Sequence, residues 1–222
     1  MSRVSVEKAH RLQLRLSKRV VKEDMLPKTL RYIAGVDVAY EDSWSIGAAV
    51  VLNYSSLSLV ETQTARVKTR FPYIPTLLYL RENAPAKAAI DKLKTDSEVF
   101  LVDAQGIAHP HRFGFASNLG IILDKPTIGV AKNLLCGQTG PVNQAGWAPI
   151  TDKGEVIGAA VRKDENQKPV YVSVGHKVSL EKAVEIVKHC VKSARVPEPI
   201  RIAHITANKE KRKHKRKIMH KD

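Results

Sequence analysis

Cysteine is nearly absent from this chain, acidic charge is short, and long apolar runs are missing altogether. Two cysteines in 222 residues, Cys136 and Cys190, are too few for a disulfide framework, and neither has a Cys or His partner at metal-ligand spacing. A disulfide-stapled secreted scaffold is excluded, and a reducing, cytoplasmic location is expected. The longest apolar run, Ile46 to Leu52, falls far short of the roughly 20 residues that span a bilayer. The opening Met-Ser-Arg-Val-Ser-Val-Glu-Lys-Ala-His lacks the apolar stretch of a secretory signal. No membrane partner is expected. Acids number 22 against 37 Lys and Arg, which gives a net charge of +15 and a pI near 9.9. Such a chain attracts polyanions, and nucleic acid is the leading partner class.

The remaining composition, 43% hydrophobic and 27% charged, is that of a globular protein with one core. Residues 1–207 read as a single domain. Residues 208–222 form a basic run with eight Lys and Arg against Glu210 and Asp222, so they carry +6 and leave +9 to the rest. This run reads as a flexible, solvated tail or a nonspecific phosphate contact.

Along the domain, a helix rich in Lys, Arg and Leu is predicted from Val4 to about Val21, with an apolar stripe through Val6, His10, Leu14 and Val21. Tyr32–Tyr40, Ile46–Asn53 and Leu57–Val67 follow as three strands joined by short polar connectors, an antiparallel meander. Pro75 opens a helix that Pro85 should kink or break. Val99–Val102 and Pro126–Ala131 are continuous apolar runs, as expected of strands buried on both faces, with a short helix from about Pro110 to Leu123 between them. Glu155–Val161 and Val170–Val174 form a hairpin, Ser179 caps a helix with Leu180, Ala183, Val184, Val187 and Val191 inward, and a last helix starts near Ile200. A meander followed by βα units gives an α/β fold: a mixed sheet of antiparallel and parallel strands flanked by helices. The right-handed crossover rule puts the Val99 strand beside the first.

That neighbour relation brings two carboxylates together. Asp37 lies in the apolar strand Ile33-Ala-Gly-Val-Asp-Val-Ala-Tyr40, where an ionised acid is costly without a compensating cation or donor. Asp103 ends the Val99 strand at its carboxyl end, the usual place for ligands in open α/β sheets. Singly, each reads as well as a turn or edge aspartate. Converging, they suit a hard cation such as Mg²⁺ or Mn²⁺. Glu82, four residues beyond Leu78 on a helix, shares the sheet-facing side and can complete a triad. Lys132 ends the second parallel strand on the same edge, where a phosphate needs a cation. His204 falls on the inward face of the last helix, as a core histidine or a site residue. The loop Arg70-Phe-Pro-Tyr-Ile-Pro75 is stiffened by prolines. Its aromatics are either core residues or an apolar wedge of the kind that unstacks bases.

Gly35-Val-Asp37, Phe71-Pro-Tyr-Ile-Pro75, Leu80-Arg-Glu82, Val102-Asp-Ala-Gln-Gly106, Ala108-His-Pro110, Phe113-Gly114, Pro126-Thr-Ile-Gly-Val-Ala-Lys132, Val172-Ser-Val-Gly-His176 and Arg201-Ile-Ala-His204 occur in this order over nearly the whole chain. As a set they closely resemble the endonuclease V family, the deoxyinosine-directed repair nucleases. The resemblance implies a ribonuclease H-like fold and a cytoplasmic, monomeric, metal-dependent endonuclease. It would cut the second phosphodiester bond 3′ of a deoxyinosine, leaving 3′-hydroxyl and 5′-phosphate ends. It also implies that Asp37, Asp103 and Glu82 hold Mg²⁺, with Mn²⁺ as substitute, and that Lys132 and His204 act near the scissile phosphate. Tyr73, Ile74, Pro75 and Leu78 would form the wedge and base site, with His109, Lys132 and His176 contacting substrate. The implied partner is inosine-containing DNA, single- or double-stranded. An inosine-directed endoribonuclease and a non-cleaving binder of inosine or branched DNA are the alternatives. Three positions depart from the family pattern: Ala104 and Thr76 stand where glycine is usual, and Asn118 where some members carry His.

Overall fold

A computed structural model of the chain describes residues 5–164 and 166–219, with side chains described to residue 213. Val4 and the last three residues of the basic run lie outside the described residues. The elements run α1 (Val6–Ser17), β1 (Tyr32–Glu41), β2 (Trp44–Asn53), β3 (Leu59–Lys68), α2 (Tyr79–Ile90), β4 (Val99–Val102), α3 (Phe115–Leu123) and β5 (Thr127–Ala131). β6 (Gln138–Thr139), β7 (Ala148–Asp152), β8 (Glu155–Val161), β9 (Val170–His176), α4 (Leu180–Cys190) and α5 (Glu198–Met219) complete the chain. One nine-stranded sheet results, in the order β3-β2-β1-β4-β5-β9-β8-β7-β6. β1, β2 and β3 form the expected antiparallel meander, and β4 lies parallel between β1 and β5.

Side chains alternate along each strand, so the sheet has two apolar faces. Ala34, Val36, Phe100 and Val102 pack under α2 and α3 through Tyr79, Ala86, Phe115 and Leu119. Ile33, Leu101, Ile128 and Val130 face the other way, under α4 and α5, against Val184, Val187, Ile200 and Ala203. Gly35 permits the second layer to seat closely, because a Cβ there would lie 2.0 Å from the Pro199 carbonyl oxygen of α5. Ser179 caps α4 as its type and position suggest, accepting from the Lys182 amide.

Several elements differ from the sequence reading. α1 buries Ala9 and Gln13, while Val6 and Leu14 of the expected stripe are exposed. Ala9 packs in the apolar cluster under α2, while Gln13 meets the Thr76 and Phe113 carbonyls, so a glutamine fits at that position better than a leucine. α2 runs unbroken through Pro85, which is buried. The amide that proline lacks costs one helical hydrogen bond, and packing on the sheet offsets it. Pro110 sits in turns ahead of α3, which begins only at Phe115. β6 and β7 extend the β8–β9 hairpin and were not anticipated. Pro149 inside β7 disguises that strand, and its turn uses Lys153 (φ 53°) and Gly154 (φ 79°), left-handed positions that suit a two-residue hairpin. α5 starts at Glu198 and carries the basic stretch as helix through Met219, where a flexible tail was expected.

Candidate active site

Val36 pairs with Val102, and the Asp103 amide donates to the Val36 carbonyl, so Asp37 and Asp103 stand just beyond the last rung of two adjacent parallel strands. By the two-residue period, Asp37 shares the face of Ile33, Asp103 that of Leu101, and Lys132 that of Val130. All three therefore look toward α5. There His204 Nδ1 lies 2.7 Å from Asp37 Oδ2, and Lys132 Nζ donates to Asp103 Oδ2 at 2.9 Å. One ligand atom each from Asp37, Asp103 and His204 lie within 4.8 Å of one another. His204 was expected to face inward, yet its side chain is 53% exposed, at the rim rather than in the core. His204 follows buried Ala203 by one residue, about 100° around the helix, which turns its side chain from the core to the rim.

Glu82 reaches the cluster from the other layer. It is buried on α2 and accepts a 2.5 Å hydrogen bond from the Tyr40 hydroxyl, and Arg81 lies over the Tyr40 ring, 3.9 Å from its centroid. Burial, with Asp37 and Asp103 adding, pushes Glu82 up to about 8, against the pull of Tyr40. Burial and Asp103 likewise raise Asp37, opposed by His204 and the Val38 amide. Carboxylates that repel one another, even with Lys132 beside Asp103, form a donor set that a divalent cation fits. Asp37, Asp103 and His204 would hold the ion, with Glu82 behind them.

Next to this edge is a cavity of about 370 Å³ lined by Tyr73, Leu78, Tyr79, His109, Phe115 and Leu134, and it also takes in Asp103 and Lys132. Tyr73 stands at its side 65% exposed, so this ring is not core. Ile74 packs partly on the α2 layer, and Pro75 is exposed. Ala104 lines the cavity, and Asn118 lies between α3 and α2, bonded to Asn83. His109 is buried. Its Nδ1 accepts from the His111 amide, so Nε2 carries the proton donated to the Thr76 carbonyl at 3.1 Å. Burial, aided by His111, holds His109 down at about 4. His176 is not brought to this place. It pairs with Thr127 at the opposite end of β5, and its Nδ1 accepts from the Val21 amide. The antiparallel run of β9 carries it away from the carboxylates, so the structure does not bring it together with the other expected site residues.

The sequence reading missed the groups that hold these residues. Thr76 has φ +69°, a conformation that favours glycine, and is tied on three sides. Gln13 Nε2 donates to its carbonyl at 2.8 Å, His109 donates to the same oxygen, and His10 Nε2 lies 3.0 Å from its hydroxyl. Tyr40, the support of Glu82, was also missed. Its only sequence signal was a polar-tipped aromatic ending the Asp37 strand.

Carboxylates gathered where β1 and β4 end their pairing, with a lysine beside them, on a nine-stranded mixed sheet flanked by helices, make an arrangement suited to metal-assisted phosphodiester hydrolysis. The family model described as endonuclease V matches residues 14–205. The chain is 49% identical over 204 residues to an endonuclease V of Thermofilum pendens, covering 91% of this chain and 88% of that protein. It is 46% identical to one of Rippkaea orientalis, covering 90% and 88%. Among solved structures, the endonuclease V of Streptomyces avermitilis superposes with a TM-score of 0.88 at 35% identity, covering 95% of each chain. That of Ciona intestinalis, in complex with a DNA containing an inosine followed by a ribo-adenosine, gives 0.85 at 31%, covering 96% of this chain and 99% of that one. The chain belongs to the endonuclease V family and is a nuclease.

Proposed function

We propose that this nuclease recognises deoxyinosine in DNA and hydrolyses the second phosphodiester bond on its 3′ side, in a single catalytic domain over residues 1–207. The observation that carries the reading is the adjacency of cavity and carboxylates: one recess offers a base-sized apolar pocket and, at its rim, Asp103 and Lys132. A base held in the pocket leaves the scissile phosphate a step away, over the acids. Inosine lacks the exocyclic amine of guanosine, so a close-fitting pocket excludes guanine while bonding the shared ring edge.

Asp37, Asp103 and His204 are the residues that would hold Mg²⁺, or Mn²⁺ in its place. The ion, when bound, supplies Lewis-acid charge at the phosphoryl oxygens and acidifies water. The chain's own groups do the rest. Lys132 places an ammonium beside the phosphate, and His204 stabilises charge on the phosphate or leaving oxygen. Water attacks phosphorus, the P–O3′ bond breaks, and the leaving oxygen takes a proton to give 3′-hydroxyl and 5′-phosphate ends. Tyr73, held between Pro72 and Pro75, is the wedge that enters the stack.

The DNA bound to the Ciona relative carries a ribonucleotide after the inosine, which favours keeping RNA as a second reading. Matched inosine-containing DNA and RNA oligonucleotides, incubated with Mg²⁺ and with product ends mapped, test both. Cutting of the DNA one nucleotide beyond the lesion is expected. Cutting of RNA alone would transfer the activity to RNA, and cutting without regard to inosine would remove the lesion reading.

A further inference from the structure

A second cavity, of about 250 Å³, has no part in the chemistry above. Arg162, Lys163, Lys168, Lys188 and Arg195 line it with Gln167, and none of the described lining residues is acidic. The lysine heads are steadied by carbonyls rather than carboxylates: Lys163 donates to the Lys192 carbonyl at 2.5 Å and Lys188 to that of Ala145 at 2.7 Å. An ammonium has three donors, so each retains capacity for an anion. Among the described acids near it in sequence, Asp164 accepts from the Asn166 amide and Glu185 is paired with Lys182.

Its place in the fold gives this cluster meaning. Val161 pairs with Val170 and Ala131 with Tyr171, so the cavity opens at the end of the sheet that bears Asp103 and Lys132. Arg195 ties the two together, its guanidinium donating to the Lys132 carbonyl at 2.5 Å and to that of Pro169 at 2.6 Å. Lys188 and Val191 bring the cavity to the α4 layer, whereas Tyr79 and Phe115 put the base-sized cavity in the α2 and α3 layer. The carboxylates lie between. A strand whose lesion base occupies the first cavity and which is cut to its 3′ side continues away from that cavity, toward the second.

We propose that this basic cavity binds backbone phosphates of the nucleic-acid strand 3′ of the cut. The inference rests on the cleavage reading above. Phosphate contacts of this kind carry no sequence information but fix register and strengthen binding in a salt-dependent way.

The test uses the full chain and a variant carrying Lys163→Gln, Lys168→Gln and Lys188→Gln, all exposed residues remote from the reacting groups. Single-stranded inosine substrates keep one 5′ flank and carry either 3 or 15 nucleotides 3′ of the cut. For the wild type, KM is expected to be about tenfold lower on the long 3′ flank at 50 mM salt. The variant should lose that preference with kcat within about twofold and an unchanged Tm. Losing three phosphate contacts should flatten the slope of log affinity against log salt by about 2. A 3′-flank preference retained by the variant overturns the proposal. So does a loss that follows the length of the 5′ flank. Binding of an undamaged strand is read in parallel by anisotropy, and equal salt slopes for the two proteins overturn the cavity whatever the cleavage result. Failure of the wild type to cut any inosine strand would instead overturn the cleavage reading, leaving the binding arm to judge the cavity.

Discussion

Each residue at the carboxylate edge bears a different share of the work. Asp37 and Asp103 converge with His204, whereas Glu82 stands behind them on Tyr40, already pushed up to about 8. Glu82→Gln keeps both the volume and an oxygen for the Tyr40 hydroxyl. It should slow single-turnover cleavage by about tenfold, against about a hundredfold or more for loss of either aspartate, a span typical of removing one group from a charge-stabilising site. Equal losses would make Glu82 a full partner in holding the ion. His109 bears on stability. Its folded pKa is about 4 and the ordinary value is 6.5, so above pH 6.5 the ring is neutral in both folded and unfolded chains. Between 6.5 and 4 the unfolded chain takes up a proton that the folded one refuses, and stability falls with pH. His109→Gln should remove up to roughly 3 kcal/mol of that loss at pH 4, read from urea midpoints across the range. An identical pH dependence in the variant would show that the ring protonates freely in the fold.

Among the elements, α1 does more than cover the surface. It presents His10 and Gln13 to Thr76, and Gln13 also donates to the Phe113 carbonyl at 3.0 Å, so one buried side chain joins the wedge loop to the turns before α3. Gln13→Ala should cost about 1–3 kcal/mol by taking the Gln13 donor from the Phe113 carbonyl and leaving the Thr76 carbonyl to His109, far more than a typical change on an outer helix. A denaturation midpoint equal to wild type would show that the tie carries nothing. Tyr73→Ala should weaken cleavage of duplex inosine DNA far more than of single-stranded inosine DNA, which has no pairing to break, measured at one fixed salt. Equal losses would return Tyr73 to a structural role. The core strands were legible because apolar runs and short polar connectors are local signals: β1 to β3, β4, β5, β8 and β9 all fall where the pattern puts them. What stayed hidden depends on distant partners. Gln13 and Thr76 are 63 residues apart, Tyr40 and Glu82 are 42 apart, and nothing near either pair announces the bond. β7 was concealed by its proline, and the inner face of α1 by a polar residue in a core position. Asp37 and Asp103 could be read because a carboxylate in or at the end of an apolar strand contradicts its surroundings, and the crossover rule then joined them.

At the scale of the whole molecule, a basic body surrounds a small acidic edge. The net charge of +15 draws polyanions to the surface in general, while the carboxylates repel phosphate unless a cation stands between. Binding and cutting should therefore separate cleanly. Chelation with EDTA is expected to stop cleavage while the protein still binds inosine DNA, and added Mg²⁺ to restore it. The most direct measurement takes wild type, Asp37→Ala and Asp103→Ala, with one inosine-containing strand, and follows binding and Mg²⁺-dependent cleavage on the same samples. All three should fold and bind, and only the wild type should cut, one nucleotide beyond the inosine. Substantial Mg²⁺-dependent cutting by either variant would contradict the assignment of these two carboxylates as the centre of the reaction.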